Sequence, residues 1–142
     1  LEYIDKDRIG IKGWSYGGYM SSLAITKGAD IFKLAVAVAP VTNWRYYDNI
    51  YTERYMQTPQ ENEKGYDENS PINHVDKLKG KYLLIHGTAD DNVHVQNTYE
   101  MTSALVQANK QFDLFVYPDK NHGIYSRFHL YTKITSFIED NL

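Results

Sequence analysis

Short apolar runs alternate with longer amphipathic stretches along this chain, which is the pattern of strands feeding helices. Four runs rich in Ile, Val, Leu, Phe or Tyr, at 8–14, 34–41, 82–86 and 112–117, are predicted strands. The second reads Leu-Ala-Val-Ala-Val-Ala-Pro-Val and is apolar on both faces, as a strand buried between two helix layers must be. Between and after these runs, the spacing predicts helices over 17–27, 44–55, 95–108 and 125–141. Each of the first three connects one strand to the next by a crossover, so the sheet is expected to be mainly parallel and flanked by helices, an α/β architecture. The stretch 58–80 carries two of the four prolines, two glycines and many charges, and is expected to run over the surface with one short helical turn. Strand 8–14 opens the sheet abruptly, and its free edge is a liability that earlier strands are expected to cover.

The chain has 142 residues, enough for one domain with its own core. Its 42% hydrophobic and 23% charged residues exclude a disordered or low-complexity chain. The longest uncharged apolar run, 34–41, is far shorter than the roughly 20 residues a membrane helix needs, so no spanning segment is expected. The net charge of −3 is dispersed, which removes the electrostatic basis for nucleic-acid binding. With no cysteine, disulfides, thiolate metal sites and cysteine nucleophiles are all excluded. The chain begins Leu1-Glu2-Tyr3, without an initiator Met or the blocks of a signal peptide, and is expected to be a piece of something longer.

Candidate chemistry centres on Gly13-Trp14-Ser15-Tyr16-Gly17, a Gly-x-Ser-x-Gly sequence between a predicted strand and a predicted helix. Glycines there permit a sharp turn that leaves the Ser15 hydroxyl exposed above the carboxyl edge of the sheet. A serine nucleophile needs a base, and the base needs an orienting acid. Both residue types follow at later strand ends. Asp90 and Asp91 come after 82–86, and His122 comes after 112–117. The order Ser, Asp, His is that of the α/β-hydrolase fold. Spacing leaves Asp90 and Asp91 as alternatives, with Asp119 a weaker rival because it lies so close to His122 in sequence. His74 and His129 are expected at the surface and His86 as hydrogen-bonded structure. A metal site from His86, Asp90 and His94 is disfavoured, because their spacing does not follow one helix face. Trp44, Tyr47, Tyr51 and Tyr55, with Tyr46 nearby, are expected on one helical face, either as core or as a rigid apolar pocket beside Ser15, with Glu53 and Arg54 at its rim.

The segments Gly-Trp-Ser-Tyr-Gly-Gly-Tyr at 13–19, Tyr-Thr-Glu-Arg-Tyr-Met at 51–56 and His-Gly-Thr-Ala-Asp-Asp-Asn-Val-His at 86–94 resemble the dipeptidyl peptidase IV group of the prolyl oligopeptidase family of serine peptidases. The likeness runs essentially end to end, and Thr-Pro-Gln-Glu-Asn at 58–62 suggests a bacterial, Bacteroidetes-like member. It implies the C-terminal part of an α/β-hydrolase catalytic domain, with Ser15 as nucleophile, Asp90 as triad acid, His122 as base and the Tyr16 backbone N–H as an oxyanion donor. It further implies that Val41, Trp44, Tyr47, Tyr51 and Val93 line a pocket for proline and that the Asn92 amide holds a substrate carbonyl.

By the same implication the activity is release of X-Pro or X-Ala dipeptides from a free amino terminus, through an acyl-enzyme and without a cofactor or metal. The partners are peptide substrates and a second copy of the enzyme, with 95–108 and 125–141 taking part in dimer contacts. A periplasmic or cell-envelope location is expected. A second oxyanion donor and the glutamates that bind the substrate amino group are expected upstream, outside this chain. A general serine esterase, and an inactive domain acting as a dimerisation module, are the alternatives.

Overall fold

The computed structural model describes residues 2–142. Four strands, β1 (Gly10–Trp14), β2 (Leu34–Val38), β3 (Lys81–Gly87) and β4 (Asp113–Tyr117), form one parallel sheet in the order β1-β2-β3-β4. Their register sets Val38 beside Trp14 and Ile85, and Tyr117 beside Gly87, so the carboxyl ends of all four strands reach the same edge. Helix α1 (Tyr16–Lys27) links β1 to β2, α4 (Gln96–Gln107) links β3 to β4, and α5 (Arg127–Asn141) follows β4.

The period of two along each strand divides the core. Leu34, Val36, Val38, Leu83, Ile85 and Tyr117 face Leu130 and Ile134 of α5. Ala35, Ala37, Tyr82 and Leu84 face Ile25 of α1 and Met101 and Leu105 of α4. Every residue of β2 is buried, as its unbroken apolar run requires. Helix α1 presents Ser21, Ser22 and Thr26 to this core, and their hydroxyls are satisfied by carbonyls one turn earlier at 2.7–2.9 Å. Ser22 also meets the buried Tyr82 hydroxyl at 2.7 Å. Among the described residues β1 pairs only with β2, and no helix is long and apolar enough to cross a membrane.

Most element ends shift by one or two residues, and three predicted elements differ by more or in kind. Strand β2 stops at Val38, because Ala39 takes a positive φ of 46° and turns the chain out of the sheet. The helix expected over 44–55 is two elements, a 3₁₀ turn at Trp44–Tyr46 and α2 (Asn49–Met56). Asp48 causes the break: it sits in extended backbone, and its side chain accepts the Tyr51 N–H at 2.9 Å to start a new helix. The stretch 58–80 is more ordered than one surface turn. It contains α3 (Glu63–Glu68), begun by the Asn62 side chain accepting from Gly65 N–H, and a 3₁₀ stretch at Pro71–Lys77 that opens on proline. Tyr66, Pro71 and Val75 from this stretch are buried.

Candidate active site

The turn from β1 into α1 is strained where the sequence places Ser15. That residue has φ 59° and ψ −117°, a backbone conformation costly for any residue with a Cβ. Its N–H donates to Val38 O at 2.8 Å, and its carbonyl accepts from Tyr19 N–H at 3.0 Å. A serine preceding a helix usually caps it with its own oxygen, but the Ser15 side chain makes no such bond. Its hydroxyl is therefore not consumed by its own helix. The first N–H groups of α1, beginning with Tyr16, have no acceptor inside the helix and converge at the same place.

The motif glycines do different jobs. A Cβ on Gly13 would lie 2.0 Å from the Gly17 carbonyl oxygen, and one on Gly18 would lie 2.9 Å from Val38 O. A Cβ on Gly17 would meet nothing. Gly13 and Gly18 thus let the backbones close in, whereas Gly17 only presents the backbone that Gly13 must accommodate.

Two loops bring a carboxylate and an imidazole to the same edge. The loop after β3 crosses the loop after β4 so tightly that a Cβ on Gly87 would sit 2.1 Å from Lys120 O. Backbone bonds from Thr88 to Tyr117 and from Ala89 to Lys120, with Asp119 N–H donating to Thr88 Oγ1 at 2.8 Å, tie them together. Asp90 Oδ2 then lies 2.7 Å from His122 Nδ1. Because a carboxylate only accepts, His122 donates through Nδ1–H, which leaves its Nε2 lone pair free to take a proton. The exposed Asp91 and Asp119 make no such bond among the described residues, which separates the alternatives that spacing left open.

Asp90 is 5% exposed yet well supplied with donors. Its Oδ1 accepts from Asn92 N–H at 3.0 Å and Val93 N–H at 2.9 Å. Burial opposes its ionisation, but the hydrogen bonds from His122, His86 and the Asn92 backbone outweigh that and hold its carboxyl far below the usual range. Trp14 Nε1–H donates to His122 O at 3.0 Å, so the residue before the serine anchors the histidine loop to β1. Ser15 Oγ and His122 are not hydrogen-bonded in this geometry, whereas His122 and Asp90 are.

Beside Ser15 a chain of aromatic rings stands at centroid spacings of 5.1–6.1 Å, mostly edge to face: Tyr19, Trp44, Tyr47, Tyr51 and Tyr55, with Tyr16 against Tyr19 and Trp44. The break at Asp48 folds the 3₁₀ turn and α2 onto each other, so the rings meet without sharing one helix face. Tyr16, Tyr19, Trp44, Tyr51 and Tyr55 wall a cleft of about 410 Å³ whose lining also includes Thr52, Met56 and Asn69, whereas Tyr47, expected in this pocket, lies outside its lining and borders a neighbouring groove with Asn92. Val41 and Val93, also expected to line the pocket, do not: both are fully buried beneath the rings with Tyr66 and support them from below. Tyr47 turns its hydroxyl the other way, donating to Asn92 Oδ1 at 2.7 Å and leaving the Asn92 amide N–H groups free. Burial, with the Asp48 and Asp90 charges, pushes the Tyr47 phenol up from its ordinary value, which keeps it a donor. Glu53 and Arg54 are exposed on α2.

Sequence reasoning missed Tyr19 and Asn69 in the cleft, Trp14 as an anchor, and the contact of the wholly buried His86 with Asp90 at 3.2 Å. Apart from the His86–Asp90 contact, which spans only four residues, these depend on segments distant in sequence that the fold brings together. His74 lies half-buried at the surface, held between Glu68 O and Lys77. His129 is exposed and meets the Tyr117 hydroxyl at 2.7 Å.

Comparison with known proteins places these features in a family. The model of the prolyl oligopeptidase family matches residues 1–142. Bovine prolyl endopeptidase FAP is 49% identical over 98% of this chain and 19% of its own length. Cat dipeptidyl peptidase 4 is 46% identical with the same coverage. A crystal structure of Porphyromonas gingivalis dipeptidyl peptidase 4 superposes with a TM-score of 0.97 at 52% identity, over 100% of this chain and 21% of that one. The chain spans about a fifth of the length of these relatives. On a match that runs from its first residue to its last, with the α/β-hydrolase sheet of its solved neighbours, this chain belongs to the prolyl oligopeptidase family.

Proposed function

We propose that this chain is the C-terminal part of the catalytic domain of a longer serine exopeptidase, which releases X-Pro or X-Ala dipeptides from peptide amino termini. In this proposal Ser15 Oγ attacks the carbonyl carbon of the proline or alanine residue while His122 Nε2 takes its proton. The negative oxygen is held by Tyr16 N–H. Collapse breaks the C–N bond, the leaving amine takes the proton back from His122, and the dipeptide remains esterified to Ser15. Water, deprotonated by His122, then releases the dipeptide acid and restores the serine.

The observation that supports this most is the 2.7 Å bond from His122 to Asp90 beside a strained serine whose hydroxyl is free. Flat rings around a compact cleft suit a pyrrolidine, and Asn92, its carbonyl engaged by Tyr47, is left with N–H donors for a substrate carbonyl. A homodimer with α4 and α5 at its contact, and a periplasmic or cell-envelope location, belong to the same proposal and rest on the resemblance to that group. Val106 on α4 and Phe128 on α5, at 64% and 89% exposure, fit an association surface there.

The test is turnover of a Gly-Pro amide reporter by the full-length protein and its Ser15→Ala variant. Loss of turnover is expected, and unchanged turnover would refute the nucleophile. An acetyl-Gly-Pro reporter separates exopeptidase from endopeptidase, a distinction that matters because one relative is named an endopeptidase. Cleavage of the blocked substrate at the same rate would overturn the requirement for a free amino terminus.

A further inference from the structure

Asp90 carries one more donor than the proposed chemistry uses. The His86 ring, entirely buried at the end of β3, points Nε2 at two oxygens, Val93 O at 2.8 Å and Asp90 Oδ2 at 3.2 Å. Its other nitrogen, Nδ1, lies 2.7 Å from the Thr98 hydroxyl on α4. These contacts fix the tautomer. With the proton on Nδ1, a lone pair on Nε2 would face a carbonyl and a carboxylate, two acceptors with no hydrogen between them. With the proton on Nε2, the N–H is shared between Val93 O and Asp90 Oδ2, and Thr98 O–H donates to Nδ1. Every polar atom of the ring is then satisfied, as a fully buried group requires.

We infer that His86, held by Thr98, is a positioning residue for catalysis: it donates to the same Asp90 oxygen that receives the His122 N–H. This rests on the Ser15, Asp90 and His122 assignment proposed above. Asp90 Oδ1 is pinned by two backbone N–H groups of its own loop. Oδ2 is shared by the two histidines, one partly exposed at the sheet edge and one buried in the core. The core-side donor fixes the carboxylate plane, so that Oδ2 meets His122 Nδ1 in one orientation and His122 Nε2 points in one direction. It also spreads the carboxylate charge away from His122, which keeps the carboxylate ionised while the imidazolium forms. Thr98 reaches this network from α4, so the position of that helix is coupled to the base.

The test uses the full-length protein and three variants, with kcat and KM for a Gly-Pro amide expressed per site titrated by fluorophosphonate. His86→Leu removes the donor and should lower kcat on the order of 10- to 100-fold, with KM within about twofold. His86→Gln returns an N–H near the Nε2 position and should recover most of that loss. Thr98→Val preserves volume but frees the ring tautomer, and should lower kcat by about 3- to 10-fold. The rescue by Gln and the selective fall in kcat are results that a packing role does not give. Wild-type kcat per titrated site in Thr98→Val would overturn the inference, and this variant decides it if His86→Leu does not fold. Equal losses in the Leu and Gln variants would also overturn it. Ser15→Ala, run alongside, reports on the underlying assignment: full activity there refutes that assignment itself, whereas a dead Ser15→Ala with unaffected His86 and Thr98 variants refutes only the positioning role.

Discussion

The acid loop and the aromatic wall stand on the same edge of the sheet and are built by opposite means. Between Gly87 and Val93 the side chain that matters is almost fully buried and is saturated by hydrogen bonds, four donors converging on Asp90. Between Trp44 and Met56 the side chains that matter are rings touching rings, with Tyr51 at 42% and Tyr55 at 69% exposure. The first region has one geometry, because an unpaired buried carboxylate or imidazole costs several kcal/mol. The second is held by non-directional contacts that tolerate small rotations. A proton relay needs the former and a side-chain pocket can use the latter. Tyr47 joins them, since its ring packs edge to face against Trp44 and Tyr51 of the wall and its hydroxyl bonds Asn92 of the acid loop.

The largest expected effect breaks the rigid side. Asp90→Asn replaces an acceptor of the His122 N–H with an amide, and kcat on a Gly-Pro amide should fall by about 10⁴-fold, as when the histidine takes the wrong tautomer. Steady-state kinetics on folded protein measures this; a fall of less than tenfold would contradict the acid role. Next is the turn that carries the serine. Gly13→Ala, with its Cβ 2.0 Å from Gly17 O, should cost more than about 3 kcal/mol in urea unfolding, whereas Gly17→Ala, with open space and a helical position, should be neutral or stabilising by up to about 1 kcal/mol.

A smaller effect concerns acid. The Asp90 carboxyl is depressed in the folded state, so its contribution to stability is present above the ordinary carboxylate value near ~3.9 and is lost as pH falls through its lower folded value. Between about pH 5 and pH 2, the full-length protein should therefore lose stability more steeply than its Asp90→Asn variant; parallel curves would show that the carboxylate is not held in the folded state. Smallest is the link between the two regions. Tyr47→Phe keeps the ring and removes one hydrogen bond worth about 1 kcal/mol, so KM should rise by roughly fivefold with kcat unchanged. An unchanged KM would mean that the wall and the acid loop act independently.

How far the sequence revealed this arrangement follows the same division. Leu34 to Val38 were legible as a buried strand because every residue is apolar, and the turn at Ser15 was legible because Gly13 and Gly17 flank it within two residues on either side. The break at Asp48 was hidden because the apolar spacing continues through it, and only the hydrogen bond to Tyr51 N–H reveals a second helix start. Asp90 and Asp91 were equivalent in spacing; backbone N–H groups of the loop select Asp90. His86 was legible as hydrogen-bonded structure but its partners were not, because Val93 and Thr98 reach it from a loop and from α4, a convergence that exists only after the crossover folds back.

The account turns on Ser15 being a nucleophile activated by His122, and active-site labelling tests that most directly. The full-length protein would be treated with a fluorophosphonate and the adduct located by mass spectrometry, beside Ser15→Ala and His122→Ala. One adduct on Ser15, absent in Ser15→Ala and at least 100-fold slower to form in His122→Ala, is the expected result. Labelling at another serine, or a rate unaffected by His122→Ala, would contradict it.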